Sequence, residues 1–212
     1  QMCIRDSNYT NRFVYVSLSG KIESLTIDDC IFIGADNSTT NKAIYASSAH
    51  TQVETLSVTN STFLNFNTGS NYFFRINCGE ELVLMPVVLI DHCTFYNCYD
   101  RRGVYLYNAG RSTIKNCISA FSERRDDTKS FTAYGDESIV KNVISYNVDL
   151  YGSAPKENII SKNPLFVDAE NGNFQLYKDS PAVGAGDDGS DLGDPRWGVS
   201  TENAPVGELP YE

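Results

Sequence analysis

Five short segments of this chain are near-copies of one another: LTIDDCIF (25–32), LSVTNSTF (56–63), VLIDHCTF (88–95), STIKNCIS (112–119) and SIVKNVIS (138–145). Each sets an Ile or Val, a polar residue, a turn-forming Asp, Asn or His, a small residue, and then Phe or Ser two places on. The anchors Ile27, Val58, Ile90, Ile114 and Val140 recur after 31, 32, 24 and 26 residues. Self-similarity at roughly 20–50 residues marks solenoids and propellers, whose units bury apolar surface only against their neighbours. Apolar and polar residues alternate on both sides of the turn formers, the period-two signature of half-buried strands. A helical repeat needs apolar residues three and four apart over about ten positions, which no copy supplies. A propeller blade needs about 40 residues, more than these gaps allow. The period fits one coil of a parallel β-helix.

Each coil carries a further strand before the repeated phrase: FVYVS (13–17), AIYAS (43–47), YFFRI (72–76), GVYLY (103–107) and FTAY (131–134). Three strands per coil result, with the extra residues of the longer gaps, GADNSTTN (34–41) and NTGSN (67–71), forming turn-rich loops. The 13 Tyr and 11 Phe against 2 Met suit strands rather than helices. A chain of 212 residues buries a continuous core as one domain. The longest apolar run, LVLMPVVLI (82–90), is interrupted by Pro86 and falls short of the roughly 18 residues of a membrane span.

The expected organisation is an all-β, right-handed, single-stranded parallel β-helix of about five to six coils, truncated at its N-terminal end. Residues 1–7, QMCIRDS, fit no repeat and read as a non-native or artefactual leader, similar to a translated adapter scar at the end of a metagenomic fragment. Residues 8–162 form the coils, and 163–212 the closing segment and tail of the same domain. A signal peptide is expected to have been lost with the missing start.

Cys30, Ser61, Cys93, Cys117 and Val143 share one position of the phrase and stack about 4.8 Å apart per rung. A Cys93–Cys117 disulfide between adjacent rungs meets the distance requirement. The plainer reading is a small buried side chain that Ser and Val replace. The preceding position holds Asp29, Asn60, His92, Asn116 and Asn142. Asn and Asp tolerate the left-handed backbone of a sharp bend, and stacked amides bond from rung to rung. His92 belongs to this corner, which gives it a structural role; His50 falls in a loop.

These corner asparagines resemble the asparagine ladder of the pectate-lyase-like right-handed parallel β-helices. The ending NPLFVDAENGNFQLYKDSPAVGAG (163–186) with DLGDPRW (191–197) is similar to the closing segment of secreted bacterial β-helix proteins. YFFRINCG followed by LIDHCTFYN, with that ending, resembles uncharacterised surface lipoproteins that Bacteroides-type bacteria encode beside polysaccharide-degradation genes. The resemblance spans about 13–199. It implies the fold, an extracellular or outer-membrane location and a polysaccharide setting, and supplies no active site.

A β-helix glycosidase needs two carboxylates roughly 5–9.5 Å apart, and its family motifs are missing apart from bare Asp-Asp pairs. Asp28 and Asp91 share a column two rungs apart, roughly 9.6 Å on strand spacing, but Asp91 faces Lys115 and an ion pair explains it more simply. A polysaccharide lyase acting on uronate-containing glycans needs a base and a cation beside the uronate carboxylate. Arg101–Arg102 and Arg75 are the modest basic spot available. GDDGSDLGD (186–194) holds enough carboxylates for Ca²⁺ without the spacing of a calcium loop, and a closing turn is the simpler reading. No cofactor and no metal site are expected. A net charge of −10 argues against a nucleic-acid partner.

The outward face of the pre-phrase strands is the better signal. With Val14, Ile44, Val104 and Ala133 inward, Tyr15, Tyr45, Tyr105 and Tyr134 point outward on successive coils. Phe73 or Arg75 fills the gap between Tyr45 and Tyr105, the register of YFFRI being open by one residue. Exposed rings suit stacking against sugars; cross-strand Tyr packing that stiffens the sheet is the other reading. The candidate ligand-binding residues are therefore Tyr15, Tyr45, Arg75, Arg102, Tyr105 and Tyr134. The expected function is a monomeric surface protein that binds or presents a polysaccharide or oligosaccharide, neutral or mildly acidic, with little salt dependence. A lyase-like enzyme and a structural or adhesive stalk are the alternatives.

Overall fold

The computed structural model describes residues 2–5, 12–16, 20–34, 42–48, 51–66, 72–78, 86–99, 101–106 and 111–205. The loops expected at 35–41 and 67–71, His50 and the tail at 206–212 lie outside the described residues. Met2–Arg5 forms β1. Three coils of three separate strands follow: β2 (Arg12–Val16), β3 (Gly20–Asp28) and β4 (Cys30–Ile33); β5 (Lys42–Ser48), β6 (Thr51–Thr59) and β7 (Thr62–Leu64); β8 (Phe74–Cys78), β9 (Val87–Asp91) and β10 (Thr94–Tyr96). In the next two coils the two strands of the phrase run together through the bend, giving β11 (Val104–Leu106) with β12 (Arg111–Ala120), and β13 (Lys129–Ala133) with β14 (Ile139–Tyr146). The stack ends on β15 (Asp149–Tyr151) and β16 (Lys156–Ile160), and the hairpin β17 (Phe166–Asp168) and β18 (Asn173–Leu176) around a 3-10 turn at Ala169–Asn171 folds back on its flank, Phe174 and Leu176 packing with Tyr96, Ile118 and Ile144. Three strands per coil therefore hold for the first three coils only. The N-terminal stretch expected to lie outside the repeat has a place in the ladder, since β1 pairs with β4 in register from Met2↔Cys30 to Arg5↔Ile33.

All pairings along the stack are parallel, and the two phrase ladders join into one sheet while β2, β5, β8, β11, β13 and β15 form another. Ile27, Val58, Ile90, Ile114 and Val140 are successive partners and form one buried column. The phenylalanines that end the phrase pile face to face inside, with Phe32–Phe63 at 4.8 Å and Phe63–Phe95 at 4.9 Å between centroids. Those distances equal the rung spacing of a sheet. Each such fully buried ring contributes roughly 1.5–3 kcal/mol of transfer free energy. The pile requires every coil to keep the same register, which ties packing to the repeat period.

Asp29, Asn60, His92, Asn116 and Asn142 all have φ between 48° and 52°, and Asn158 continues the line at 50°. The corner is thus a column of left-handed residues, a conformation that costs L-residues other than Asn, Asp and Gly about 1–2 kcal/mol. The small-residue column beside it does more than fill space. Cys30, Ser61, Cys93 and Cys117 each donate to the carbonyl two residues back, on Asp28, Thr59, Asp91 and Lys115. Thiol and hydroxyl are interchangeable there as donors to a carbonyl that, on Thr59, Asp91 and Lys115, also accepts the corner N–H of the preceding rung; Val143 gives up that bond. Cys93 and Cys117 are free thiols, and burial pushes the Cys93 thiol well above its ordinary value.

A second corner was not foreseen. Asn65, Asn97 and Asn147 have φ of 57°, 50° and 57°. Their line of bends is joined rung to rung by Asn65 N–H to Tyr96 O at 3.0 Å and Asn97 N–H to Ala120 O at 3.1 Å. The signal was in the sequence, as an Asn two residues after the phrase in three of its five copies.

Candidate functional site

The outward column of the six-stranded wall runs Tyr15↔Tyr45↔Arg75↔Tyr105↔Thr132↔Tyr151. Arg75 fills the gap between Tyr45 and Tyr105, and Phe73 is buried against Phe66 in the core. Tyr134 does not belong to the column: Phe131 pairs with Val104, so Thr132 stands beside Tyr105. The error came from aligning Ala133 with Val104 when its partner is Leu106. Tyr105 is in the column but only 6% exposed, whereas Tyr15 and Tyr151 are 51% and 55% exposed. Sequence reasoning missed Tyr72 and Tyr151; Tyr151 was hidden because the last rung carries no copy of the phrase.

Rings and cations interleave along this wall. Tyr15–Tyr45, Tyr45–Tyr72 and Tyr72–Tyr105 lie 5.8, 6.0 and 5.8 Å apart between centroids. Lys42 Nζ and the Arg75 guanidinium sit 4.6 and 4.5 Å from the Tyr72 ring, and Arg102 sits 4.7 Å from Tyr105. Contacts of this kind contribute about 0.5–1 kcal/mol at exposed sites and more when desolvated. Burial pushes the Tyr72 hydroxyl above its ordinary value, and Arg75, which also donates to that hydroxyl, opposes the shift.

Towards the last rungs the wall opens into a cleft of about 340 Å³ lined by Arg101, Arg102, Asp127, Lys129, Tyr134 and Tyr151. Tyr134 and Arg102, separated in sequence, meet here. Gly103 and Gly152 stand next in sequence to the lining residues Arg102 and Tyr151. Their φ values are +56° and +98°, and a Cβ would lie 2.2 Å from Lys129 O and 1.9 Å from Ala133 O respectively. Only glycine permits that approach of backbone to the neighbouring rung. Thr132 Oγ1 donates to Arg102 O at 2.9 Å and fixes the loop. Behind Lys129, Asp149 accepts from Lys129 at 3.3 Å and Arg124 at 3.1 Å. Burial opposes its ionisation, yet those two cations outweigh it and hold its carboxyl below the ordinary range.

Around the corner the polar groups serve one another. Asn116 donates to Asp91 Oδ1 at 3.0 Å and to Asp187 Oδ1 at 2.8 Å, and accepts the Asp187 N–H at 3.1 Å. Asn60 donates to Asp28, and Asn158 to Asn142. Among the described residues the expected amide-on-amide stack holds for that last pair; Asn60 and Asn116 instead reach the carboxylate one residue before the corner on the neighbouring rung. Asp91 pairs with Lys115 at 3.3 Å, as the column alignment required. The Gly/Asp-rich segment lies over this ladder as a strap. Asn116, then Lys141 and Lys115, hold Asp187 far below the ordinary carboxylate range. Asp191 takes the Gly184 N–H, and Asp194 takes Thr62 Oγ1 and Arg196 Nε. Trp197 Nε1 donates to Thr62, and Arg196 reaches Asp29 at 2.7 Å. Among the described residues no group of three or more His, Cys, Asp or Glu is arranged to hold a metal ion. No helix among them is long and apolar enough to cross a membrane.

A family model described as a domain of unknown function, DUF5123, matches residues 88–197, from the third copy of the phrase through the strap. No curated protein matches the chain.

Proposed function

The chain belongs to the DUF5123 family, and from that premise we propose that it binds polysaccharide along the tyrosine–arginine wall. The observation that carries this reading is the wall's composition. Tyr15, Tyr45 and Arg75 stand one rung apart and lead through Tyr72 to a cleft with three cations and one carboxylate. Ring faces with hydroxyl handles stack on sugars, and guanidinium groups take sugar carboxylates in bidentate pairs. A column of side chains repeating every 4.8 Å or so suits an extended polymer better than a compact ligand. The cleft is locally cationic in a chain of net charge −10, so its ligand is a neutral or mildly acidic glycan rather than a dense polyanion, which the wider field repels.

Glycan-array screening followed by calorimetry at low and high salt tests this. Binding is expected in the micromolar range or weaker. Arg102→Ala should lose roughly 3–10-fold, corresponding to about 0.7–1.4 kcal/mol, with a modest salt dependence that disappears in that variant. Absence of binding across neutral and uronate-containing glycans would remove the reading. We propose further that the protein works at the cell exterior or outer-membrane surface as a monomer, which surface proteolysis of intact cells and light scattering check.

A lyase acting on uronate-containing glycans is the second reading, favoured by the Arg101–Arg102 pair in the cleft. Its weakness is the base: Lys129, the cleft's candidate, is paired with Asp149. Unsaturated products absorbing in the ultraviolet would install it.

A further inference from the structure

Where the strap crosses the corner ladder, the geometry points to a second and hydrolytic site: Ser190, His92 and Asp91 form a nucleophile, base and carboxylate set that cleaves an ester of a short apolar acyl group. The site shares no residue with the tyrosine wall and does not depend on the glycan reading.

Ser190 Oγ lies 2.7 Å from His92 Nε2, and His92 Nδ1 lies 2.8 Å from Asp91 Oδ1. A carboxylate only accepts, so Nδ1 carries the hydrogen and Nε2 is left to accept from the serine hydroxyl. That is the tautomer a general base needs, and both distances fall within hydrogen-bond reach. The orienting carboxylate is itself fixed, by Asn116 Nδ2 on Oδ1 at 3.0 Å and by Lys115 Nζ on Oδ2 at 3.3 Å. Ser190 sits on a tight turn after Gly189 at φ +81°, with its N–H on Asp188 Oδ1 at 2.9 Å and its carbonyl taking the Gly186 N–H at 2.8 Å. Asp188 also faces the hydroxyl, which with the N–H holds that carboxyl below its ordinary range; the hydroxyl has one proton, so Asp188 competes with Nε2 for it, and the serine is primed when the proton is turned to His92.

Two further observations set this rung apart. The corner needs only a residue tolerant of left-handed backbone, and the other rungs meet that need with Asn60, Asn116, Asn142 and Asp29; His92 alone brings an imidazole, on the rung that meets Ser190. Beside the pair lies a cleft of about 370 Å³, lined by His92 and Ser190 and by the apolar Ile118, Phe174, Leu176 and Trp197. Its size falls in the range of small-ligand sites, and its apolar side suits an acyl chain.

The chemistry balances with water alone. Ser190 Oγ attacks the ester carbonyl carbon while its proton passes to His92 Nε2. The carbonyl-to-alkoxy C–O bond then breaks, and the leaving alkoxide takes that proton as the alcohol. Water, deprotonated by His92, attacks the acyl-serine, releasing the carboxylic acid and restoring the hydroxyl.

The test treats the full chain with an alkyl fluorophosphonate and with p-nitrophenyl butyrate. We expect a single adduct, located by peptide mass spectrometry on Ser190, and a burst of about one p-nitrophenolate per chain. Ser190→Ala should abolish both. His92→Asn should lower both rates roughly 10²–10⁴-fold while leaving the unfolding midpoint near that of the parent, because Asn already fills this corner on other rungs. A folded parent chain that neither takes the label nor hydrolyses the ester would overturn the site and leave Ser190 and His92 as a latch for the strap. Equal labelling of Ser190→Ala would overturn it as well.

Discussion

The corner with its strap and the tyrosine wall are built on the same coils yet use their side chains differently. At the corner, Asp91, Lys115, Asn116 and Asp187 close a network of hydrogen bonds and ion pairs at 2.8–3.3 Å, with Asn116 0% exposed. On the wall, the contacts are ring to ring and cation over ring, at 4.5–6.0 Å, and half of the Tyr15 and Tyr151 surface remains in water. A satisfied polar network specifies geometry and is costly to break. Rings as exposed as Tyr15 and Tyr151 add little to folding, while Tyr45, Tyr72 and Tyr105 between them are partly or wholly covered by one another and by cations. The polar network and the aromatic wall thus occupy different faces of one solenoid, and if the wall binds glycan as proposed, substitutions should separate stability from binding.

The largest effect is expected at Arg196. Its Nε holds Asp194, whose side chain is fully buried, at 2.8 Å, and its Nη2 reaches Asp29 and Asn60 O on the ladder. Arg196→Met leaves the Asp194 carboxylate buried with its countercharge removed, a loss of roughly 3–5 kcal/mol. Urea denaturation should show a much lower midpoint, and an unchanged one would mean that the strap does not clamp the ladder. Asn116→Ala comes next, at roughly 2–4 kcal/mol. Two bonds to carboxylates disappear, and alanine must also hold φ at 51°. Asn116→Gly removes the second penalty and keeps the first, so its midpoint should fall between alanine and the parent. Equal midpoints for the two would show that backbone strain plays no part at the corner.

The same contrast explains what could be read in advance. The corner, the Ile/Val column and the Asp91–Lys115 pair were legible because each coil must solve one bend with one residue type, and a physical demand that repeats leaves a repeating letter. The wall repeats less strictly. Ring stacking tolerates a partner from a neighbouring turn, so Tyr72, outside β8, inserts between Tyr45 and Tyr105 with no mark in the alignment. Tyr134 was misplaced by two residues along the strand, because Phe131 and Ala133 both point inward and either could have been set beside Val104. The meeting of Ser190 with His92 joins residues 98 apart through a segment that carries no repeat. Nothing in the period announces such a contact.

A smaller effect concerns acid. Asp187 ionises far below its ordinary value of 3.8, held by Asn116, Lys141 and Lys115. A folded-state value depressed in this way contributes stability above the unfolded value that is lost as pH falls below it. Asp28 and Asp149 are shifted the same way. Asp194, raised by burial, works in the opposite sense, since its proton is held more tightly in the folded chain, and it blunts the fall. The unfolding free energy should drop as pH is lowered through about 4 and below. Asp187→Asn should remove about 1–2 kcal/mol of that drop after screening at a partly exposed site. Thermal melts across this range check it, and parallel pH profiles for variant and parent would show that the strap is not held by this charge.

The smallest stability effect, and the sharpest cut between the two regions, is expected at Tyr15. With half of its surface in water, Tyr15→Ala should change unfolding by no more than about 0.5 kcal/mol, the usual range for surface sites. Tyr105→Ala should cost several times more, since that ring is buried under Arg102 and stacked on Tyr72, and truncating a buried aromatic costs up to about 3–5 kcal/mol. Binding should rank the pair in the opposite order once folded protein is compared: Tyr15→Ala weakens glycan affinity roughly 3–10-fold by removing a stacking face, while Tyr105 acts only by holding Arg102 in place. If Tyr15→Ala instead lowered the melting temperature as much as Tyr105→Ala and left affinity untouched, the wall would be a second stiffening seam like the corner, and its claim to a ligand would fall with it.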